Sequence, residues 1–297
     1  MSGLRDWWTT LRAANLPTVW SNVLLGAGLS LPTFNLGVVP GIAGAIVGVS
    51  MLYLGGMAIN DAGDATFDRA NNSTRPVAAR RISAKTAAVT GGLLVAIGFA
   101  TVATTGGLTG DTDFESLIAA AALTAMIFLY QIVHRRNAVA AAALMAGCRG
   151  CVPVLTALLL TDQVSPIVWW AAAGVALWTV GITCIGRGER GGEKRIPLGI
   201  IWLILAIIGI MGVGWTSPSG SLGAIGAAVL IMLAAWTPAV HSRIKAGRLT
   251  AAVCWAIAGI AVLDSSMLLA GGHVGWSAAS MVLAGATLGA QRLGGGS

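Results

Sequence analysis

Ten apolar stretches, at about 17–33, 38–60, 83–106, 115–133, 138–160, 166–186, 196–216, 222–240, 249–271 and 274–291, take up most of the chain. Each is long enough to cross the hydrocarbon of a bilayer, or nearly so. A segment that leaves water must satisfy its own backbone amides, so each stretch is expected to be a helix. The expected fold is therefore all-α, a polytopic transmembrane helical bundle of about nine or ten spans. Composition agrees: the 297 residues are 56% hydrophobic and 10% charged, with a mean hydropathy of +0.81, which excludes a soluble domain of this length. Residues 1–292 read as a single transmembrane domain, and 293–297 as an appended linker. The start, MSGLRDWWTTLRAANLP, lacks the pattern of a cleavable signal and reads as an amphipathic lead-in on the inner membrane surface.

Charge sorts between the connectors. Of the 18 Lys and Arg residues, all but Arg149 fall on one side of the membrane, and the links of the other side, at 34–37, 107–114, 161–165, 217–221 and 272–273, contain none. By the positive-inside rule both termini face the cytoplasm, and the chain is expected in a bacterial cytoplasmic membrane. The net charge of +7 then reports topology, with no nucleic-acid partner implied. Trp169, Trp170, Trp215 and Trp276 near the outer span ends, and Trp7, Trp8 and Trp236 near the inner ends, form the aromatic belt this orientation requires.

The second span ends in Asn60-Asp61-Ala62-Gly63-Asp64-Ala65-Thr66-Phe67-Asp68. At about 100° per residue, Asp61, Asp64 and Asp68 fall within roughly 60° of one another on a helix. Like charges at this spacing repel, beside a helix end that is already partly negative, so something cationic should offset them. Either one carboxyl takes up a proton, or a hard divalent cation binds, with Mg²⁺ the usual choice beside a phosphate. The plainer alternative is a solvated acidic helix end.

A second polar loop, Ile185-Gly186-Arg187-Gly188-Glu189-Arg190-Gly191-Gly192-Glu193-Lys194-Arg195, follows the sixth span. Four crossings separate it from the first motif, so both return to the same side and can roof one cavity. Glu189 and Glu193 are four apart and would share a helical face as a second metal site, while Arg187 and Arg190 would clamp phosphate oxygens. A positive-inside loop with balancing acids is the alternative. The four cysteines all lie within spans, and Cys148-Arg149-Gly150-Cys151 lacks the second pair or histidines that a metal site needs, so small packing side chains are the better account.

NDAGDATFD, followed by Arg75-Pro76 and Arg80-Arg81-Ile82-Ser83, resembles the first aspartate-rich motif of the UbiA superfamily of intramembrane prenyltransferases. Leu16-Pro17-Thr18-Val19-Trp20-Ser21-Asn22-Val23-Leu24-Leu25-Gly26 is similar to that family's opening helix, and Tyr130 with His134-Arg135 to the end of its fourth. The family's usual second motif, D-x-x-x-D, is replaced by Glu189 and Glu193 at the same spacing, and with IGRGER this is similar to the divergent Ebo-type branch. The resemblance implies about nine spans and a Mg²⁺-dependent transfer of a prenyl group. The donor would be an isoprenoid diphosphate and the acceptor a small aromatic or polar molecule. Asp61, Asp64 and Asp68, with Glu189 and Glu193, would hold the metal, and Arg75 and Arg187 would neutralise the leaving group. Asn60, Tyr130 and His134 join the substrate-binding candidates, and the apolar bundle would keep water from an allylic cation.

Away from the span ends, Arg149 and Asp264 are the only charged side chains inside the membrane, and both sit near mid-depth. They are expected either to pair with each other or to leave Arg149 to hold a polar acceptor or membrane lipid. Asn22 and Tyr130 are candidates for the cavity wall, and Trp178 and Met145 for a prenyl tunnel. A transporter or non-catalytic lipid-binding protein is the alternative from another class. Such a protein would carry its polar site at the midplane, whereas the acidic clusters here sit at one mouth. The D-G…A-R spacing of the CDP-alcohol phosphotransferases does not occur.

Overall fold

A computed structural model describes residues 3–31, 33–71, 73–109, 114–161, 163–188 and 196–293. All ten apolar stretches are helical, and there is no strand among the described residues. A short α1 (Leu4–Thr10) leads through a 3₁₀ turn into α2 (Leu16–Ser30). There follow α3 (Val39–Ala70), α4 (Ala84–Thr109), α5 (Phe114–Val133), α6 (Ala138–Thr161) and α7 (Pro166–Gly188). Two stretches are broken. The seventh becomes α8 (Ile196–Leu205) and α9 (Ile207–Thr216); the eighth becomes α10 (Leu222–Leu230), a π turn at Ile231–Trp236, and α11 (Thr237–Lys245). Pro238 opens α11 without an N–H to donate backwards, which accounts for the loosened turn before it. The chain closes with α12 (Leu249–Ala270) and α13 (Val274–Leu293).

Eight of these helical segments are long and apolar enough to cross a membrane on their own. The other two of the ten stretches are α2, with 15 residues, and α13, with 20 residues but a more polar composition. Both lie against other helices rather than standing alone. The polar side of α13, Ser277, Ser280, Thr287 and Gln291, is turned inward, and Gln291 donates to Asn15 Oδ1 at 3.0 Å. Hydrophobic periodicity is weak because lipid-facing and core-facing residues are equally apolar.

Two hydrophobic cores share the bundle, one built from α2 to α6 and the other mainly from α6, α7, α9 and α12, with α2 and α6 at their junction. In both, glycine permits backbone-to-backbone contact. A Cβ on Gly55 of α3 would lie 2.6 Å from the Gly91 carbonyl oxygen of α4, and one on Gly98 would lie 2.7 Å from that of Gly48. The pairs are one heptad apart on both helices, so the antiparallel helices touch at points about two turns apart. Trp178, expected to line a tunnel, is instead fully buried in the core, donating from Nε1 to the Ala256 carbonyl at 2.7 Å. A large apolar ring with one donor is stable there because α12 offers a carbonyl beside it. The four cysteines form no disulfide among the described residues.

The lead-in α1 is docked on the protein's own α3–α4 connector. Arg81 Nε donates to Asp6 Oδ1 at 2.8 Å, and Trp7 packs against the small cluster of Ala65, Val77, Ile82 and Ala87.

Gly55→Ala is expected to lower the stability of the purified protein in detergent by about 1–3 kcal/mol, because the backbone oxygen it meets cannot swing aside. Gly92→Ala, whose Cβ meets nothing within 4 Å, should leave the thermal midpoint unchanged.

Candidate active site

One cavity of about 730 Å³ connects the polar end of α3 to the middle of the bundle. Its mouth is lined by Arg12, Asn60, Asp61, Asp64, Arg75, His134, Arg135 and Arg187, and its depth by apolar side chains including Val49, Leu52, Ile127, Met145 and Ile260. Asp61 and Asp64 face inward because they continue the buried face of α3, and both are nearly inaccessible to solvent.

The offset to these carboxylates comes from arginines brought in by other segments. Asp64 Oδ1 accepts from His134 Nε2 at 2.9 Å and from Arg135 Nε and Nη2 at 2.8 and 2.7 Å, while Asn60 Nδ2 reaches Oδ2 at 3.3 Å. Arg135 also donates to the Gly63 carbonyl. Asp61 has Arg12 and Arg75 each at 3.7 Å from Oδ1, close enough for attraction but too far for a hydrogen bond. Asp68 accepts from Arg75 Nη1 at 3.1 Å and does not reach the cavity wall. The three acids thus share a helix face as expected, but only two of them present oxygens to the cavity.

The second motif segment arrives at the same mouth. Arg187, at the end of α7, lines the cavity and donates from Nη2 to the His134 carbonyl at 2.9 Å. Glu189, Arg190 and Glu193 lie outside the described residues. Tyr130 lines the cavity and stacks on His134 with ring centres 5.0 Å apart, as its place at the end of α5 allows. Asn22 is fully buried and is not part of the wall; it stands behind Arg149, whose Nη1 donates to it.

Several wall residues were not singled out from sequence. Arg12 and Arg135 were read only as charges marking topology or a family helix end. Tyr53, Gln131, Thr179 and Thr183 carry no spacing signal at all. Arg12 adopts a left-handed backbone, φ 49°, just before α2, and this turn aims its side chain back towards Asp61. A non-glycine residue held there is a strained position of the kind found at functional sites.

The donor set suits a hard cation. No three His, Cys, Asp or Glu side chains cluster into a ready-made metal cage among the described residues. However, Asn60 Oδ1 and Asp61 Oδ1 are buried side-chain oxygens without a hydrogen-bond donor. Mg²⁺ is characteristically bound by one or two carboxylates with the remaining ligands from water and substrate phosphate, so a partial site of this kind fits it.

A membrane bundle with an acid-and-arginine mouth over an apolar cavity has the form of an enzyme acting on a lipid-tailed anion. The UbiA prenyltransferase family model matches residues 14–187, and the chain belongs to that family. The fold is similar to that of a UbiA homologue from Archaeoglobus fulgidus bound to GPP and Mg²⁺ (TM-score 0.64, 15% identity, covering 93% of this chain and 99% of that one). It is also similar to a UbiA homologue from Aeropyrum pernix K1 (TM-score 0.62, 19% identity, 84% and 96%) and to digeranylgeranylglyceryl phosphate synthase (TM-score 0.61, 15% identity, 92% and 100%). None of the curated proteins matches the sequence.

Because three donors converge on Asp64, its replacement should unsettle the ligand-free protein even though it relieves repulsion between carboxylates. Asp64→Ala is expected to cost about 1.5–3 kcal/mol in thermal unfolding, the worth of a hydrogen bond to a charged group. Asp61→Ala, which removes a carboxylate oxygen lacking any donor, should be nearly neutral in the same measurement.

Proposed function

We propose that the protein transfers a prenyl group from an isoprenoid diphosphate to an acceptor inside the membrane, with Mg²⁺ at the mouth of the cavity. The observation that carries this reading is the cavity itself. Its charged mouth suits a diphosphate and its apolar depth suits the attached tail, in one continuous space. Support comes from the family, and from the GPP and Mg²⁺ held by the Archaeoglobus fulgidus homologue of the same fold.

Asp61 and Asp64, with the Asn60 side-chain oxygen, are the groups that would hold the metal. Bound there, Mg²⁺ would supply charge stabilisation on the departing diphosphate. Arg12, Arg75, Arg135 and Arg187 surround the same point, so negative charge developing on the bridging oxygen meets donors already in place. Asp68 acts at one remove by holding Arg75. Glu189 and Glu193, in the place of the family's second acidic motif, are proposed as ligands of a second metal, with Arg190 beside them on the diphosphate. That motif is similar to the one in the Ebo-type branch. Below the mouth, apolar side chains exclude water from the allylic cation until the acceptor attacks.

A carrier that binds isoprenoid diphosphate without reacting would use the same cavity. Release of diphosphate separates the two. Purified protein supplied with geranyl diphosphate, Mg²⁺ and membrane extract is expected to release diphosphate and yield prenylated product by mass spectrometry. Asp61→Ala and Asp64→Ala should each reduce turnover by at least about a hundredfold, the loss of one preorganised electrostatic group or more. Near-wild-type turnover in both variants would remove the acidic face from the reaction. The orientation proposed from charge, with both termini cytoplasmic, is tested by labelling a cysteine placed in the 107–114 connector, which should react only from outside the cell.

A further inference from the structure

The depth of the cavity contains a charged group for which a prenyl tail has no use. Arg149, midway along α6, forms part of a wall that also includes the apolar Val49, Leu52, Val152 and Ile260. Its Nη1 donates to Asn22 Oδ1 at 3.2 Å and its Nη2 to Thr18 Oγ1 at 3.1 Å, and the guanidinium lies 5.3 Å from the centre of the Tyr53 ring. A guanidinium has five N–H donors, so capacity remains on the side that faces the cavity. Tyr53 precedes Asp61 by eight residues on α3, which places Arg149 about 12 Å below the acidic mouth by helical rise. A hydrocarbon tail offers nothing to hydrogen-bond there. The group at this depth therefore serves the second substrate.

The charge of Arg149 is balanced indirectly. Asp264 of α12 is fully buried, away from the cavity wall, and makes no ion pair with Arg149. Arg149 can only donate, so it fixes the amide of Asn22 with Oδ1 towards itself, and Asn22 Nδ2 then donates to Asp264 Oδ2 at 2.8 Å. Ser21 Oγ reaches the same carboxylate oxygen at 2.6 Å, the length of a charge-assisted bond. One amide thus separates a guanidinium that touches the cavity from a carboxyl group that does not, and with that carboxyl ionised, as its short bond from Ser21 favours, the two together are neutral. A ligand carrying its own negative charge to this depth would leave that charge uncompensated in the apolar middle of the bundle, whereas a neutral oxygen adds none.

We propose that Arg149 holds the acceptor through a neutral oxygen, a hydroxyl or carbonyl, and that Asp264, acting through Asn22, is a positioning residue that sets the preference for an uncharged acceptor over an acidic one. That the ligand at this depth is the acceptor rests on the prenyl-transfer reading above; the preference for a neutral group rests only on the arrangement of these side chains.

The test is equilibrium dialysis of two matched pairs of probes against the full-length protein in detergent: 4-hexylbenzyl alcohol with 4-hexylbenzoate, and dodecanol with dodecanoate. The wild-type protein is expected to bind each alcohol at least about tenfold tighter than its acid, a free-energy difference well within reach of one buried charge. Asp264→Asn keeps the shape but leaves Arg149 without its counter-charge, and should move both ratios about tenfold towards the acids. A merely structural role for Asp264 would weaken both members of a pair alike. If Asp264→Asn does not fold, the wild-type ratio and that of the net-neutral Arg149→Gln/Asp264→Asn protein, which should still favour the alcohols, decide the matter. Equal or tighter binding of the acids, binding of neither member, or a ratio that Asp264→Asn leaves in place would overturn the proposal. Mg²⁺-dependent diphosphate release from geranyl diphosphate, measured on the same wild-type preparation, keeps the two readings apart. Its absence with the ratios intact counts against prenyl transfer alone, and its presence without the ratios counts against the role given to Arg149 and Asp264 alone.

Discussion

The site is organised by the need to offset buried carboxylates at the end of a long membrane helix. Asp61 and Asp64 continue the inward face of α3, where neither can be solvated freely. Burying an acid without a partner is costly, and the cost is met by cations from parts of the chain far apart in sequence, Arg12 before α2, Arg75 in the α3–α4 connector and Arg135 after α5, with a hydrogen bond from the His134 ring beside them. Arg187 joins them through the His134 carbonyl. These attractions draw the ends of α2, α3, α5 and α7 to one point and shape the mouth over the cavity.

The same logic recurs in the middle of the bundle with a different outcome. At the mouth, arginine and aspartate meet directly. At the depth of Arg149, the two charges are kept one amide apart, so the cation remains presented to the cavity while the anion is sealed among α2 and α12. The close glycine contacts of α3 with α4 hold the helix that carries both Tyr53 and the carboxylates in one place, so the two polar levels keep a constant separation.

Much of the fold was legible because the bilayer is a severe selector. A stretch of apolar residues that must satisfy its own amides can only be a helix, and all ten stretches are helical. Where α8 and α9 part, and where α10 passes through a π turn into α11, hydropathy carried no sign, since interruptions of backbone geometry do not alter apolarity. Trp178 shows the same limit for side chains: composition placed it in a span, but whether it faced a tunnel or the core depended on a carbonyl of α12 seventy-eight residues away.

By itself, the sequence determined a helical membrane bundle, an acidic face at the end of its second apolar stretch, and two isolated charges within the spans. Periodicity and transfer free energy act locally, so they can be read from neighbouring residues. Only the tertiary structure decided that Arg12 and Arg135 complete the mouth, that Asp68 stands back from the cavity while Asp64 is held by α5, and that Asn22 comes between Arg149 and Asp264. Those choices depend on which helix ends meet, and in a membrane, where every span is apolar, that is settled by close packing and by the pairing of the few polar groups that cannot be left alone.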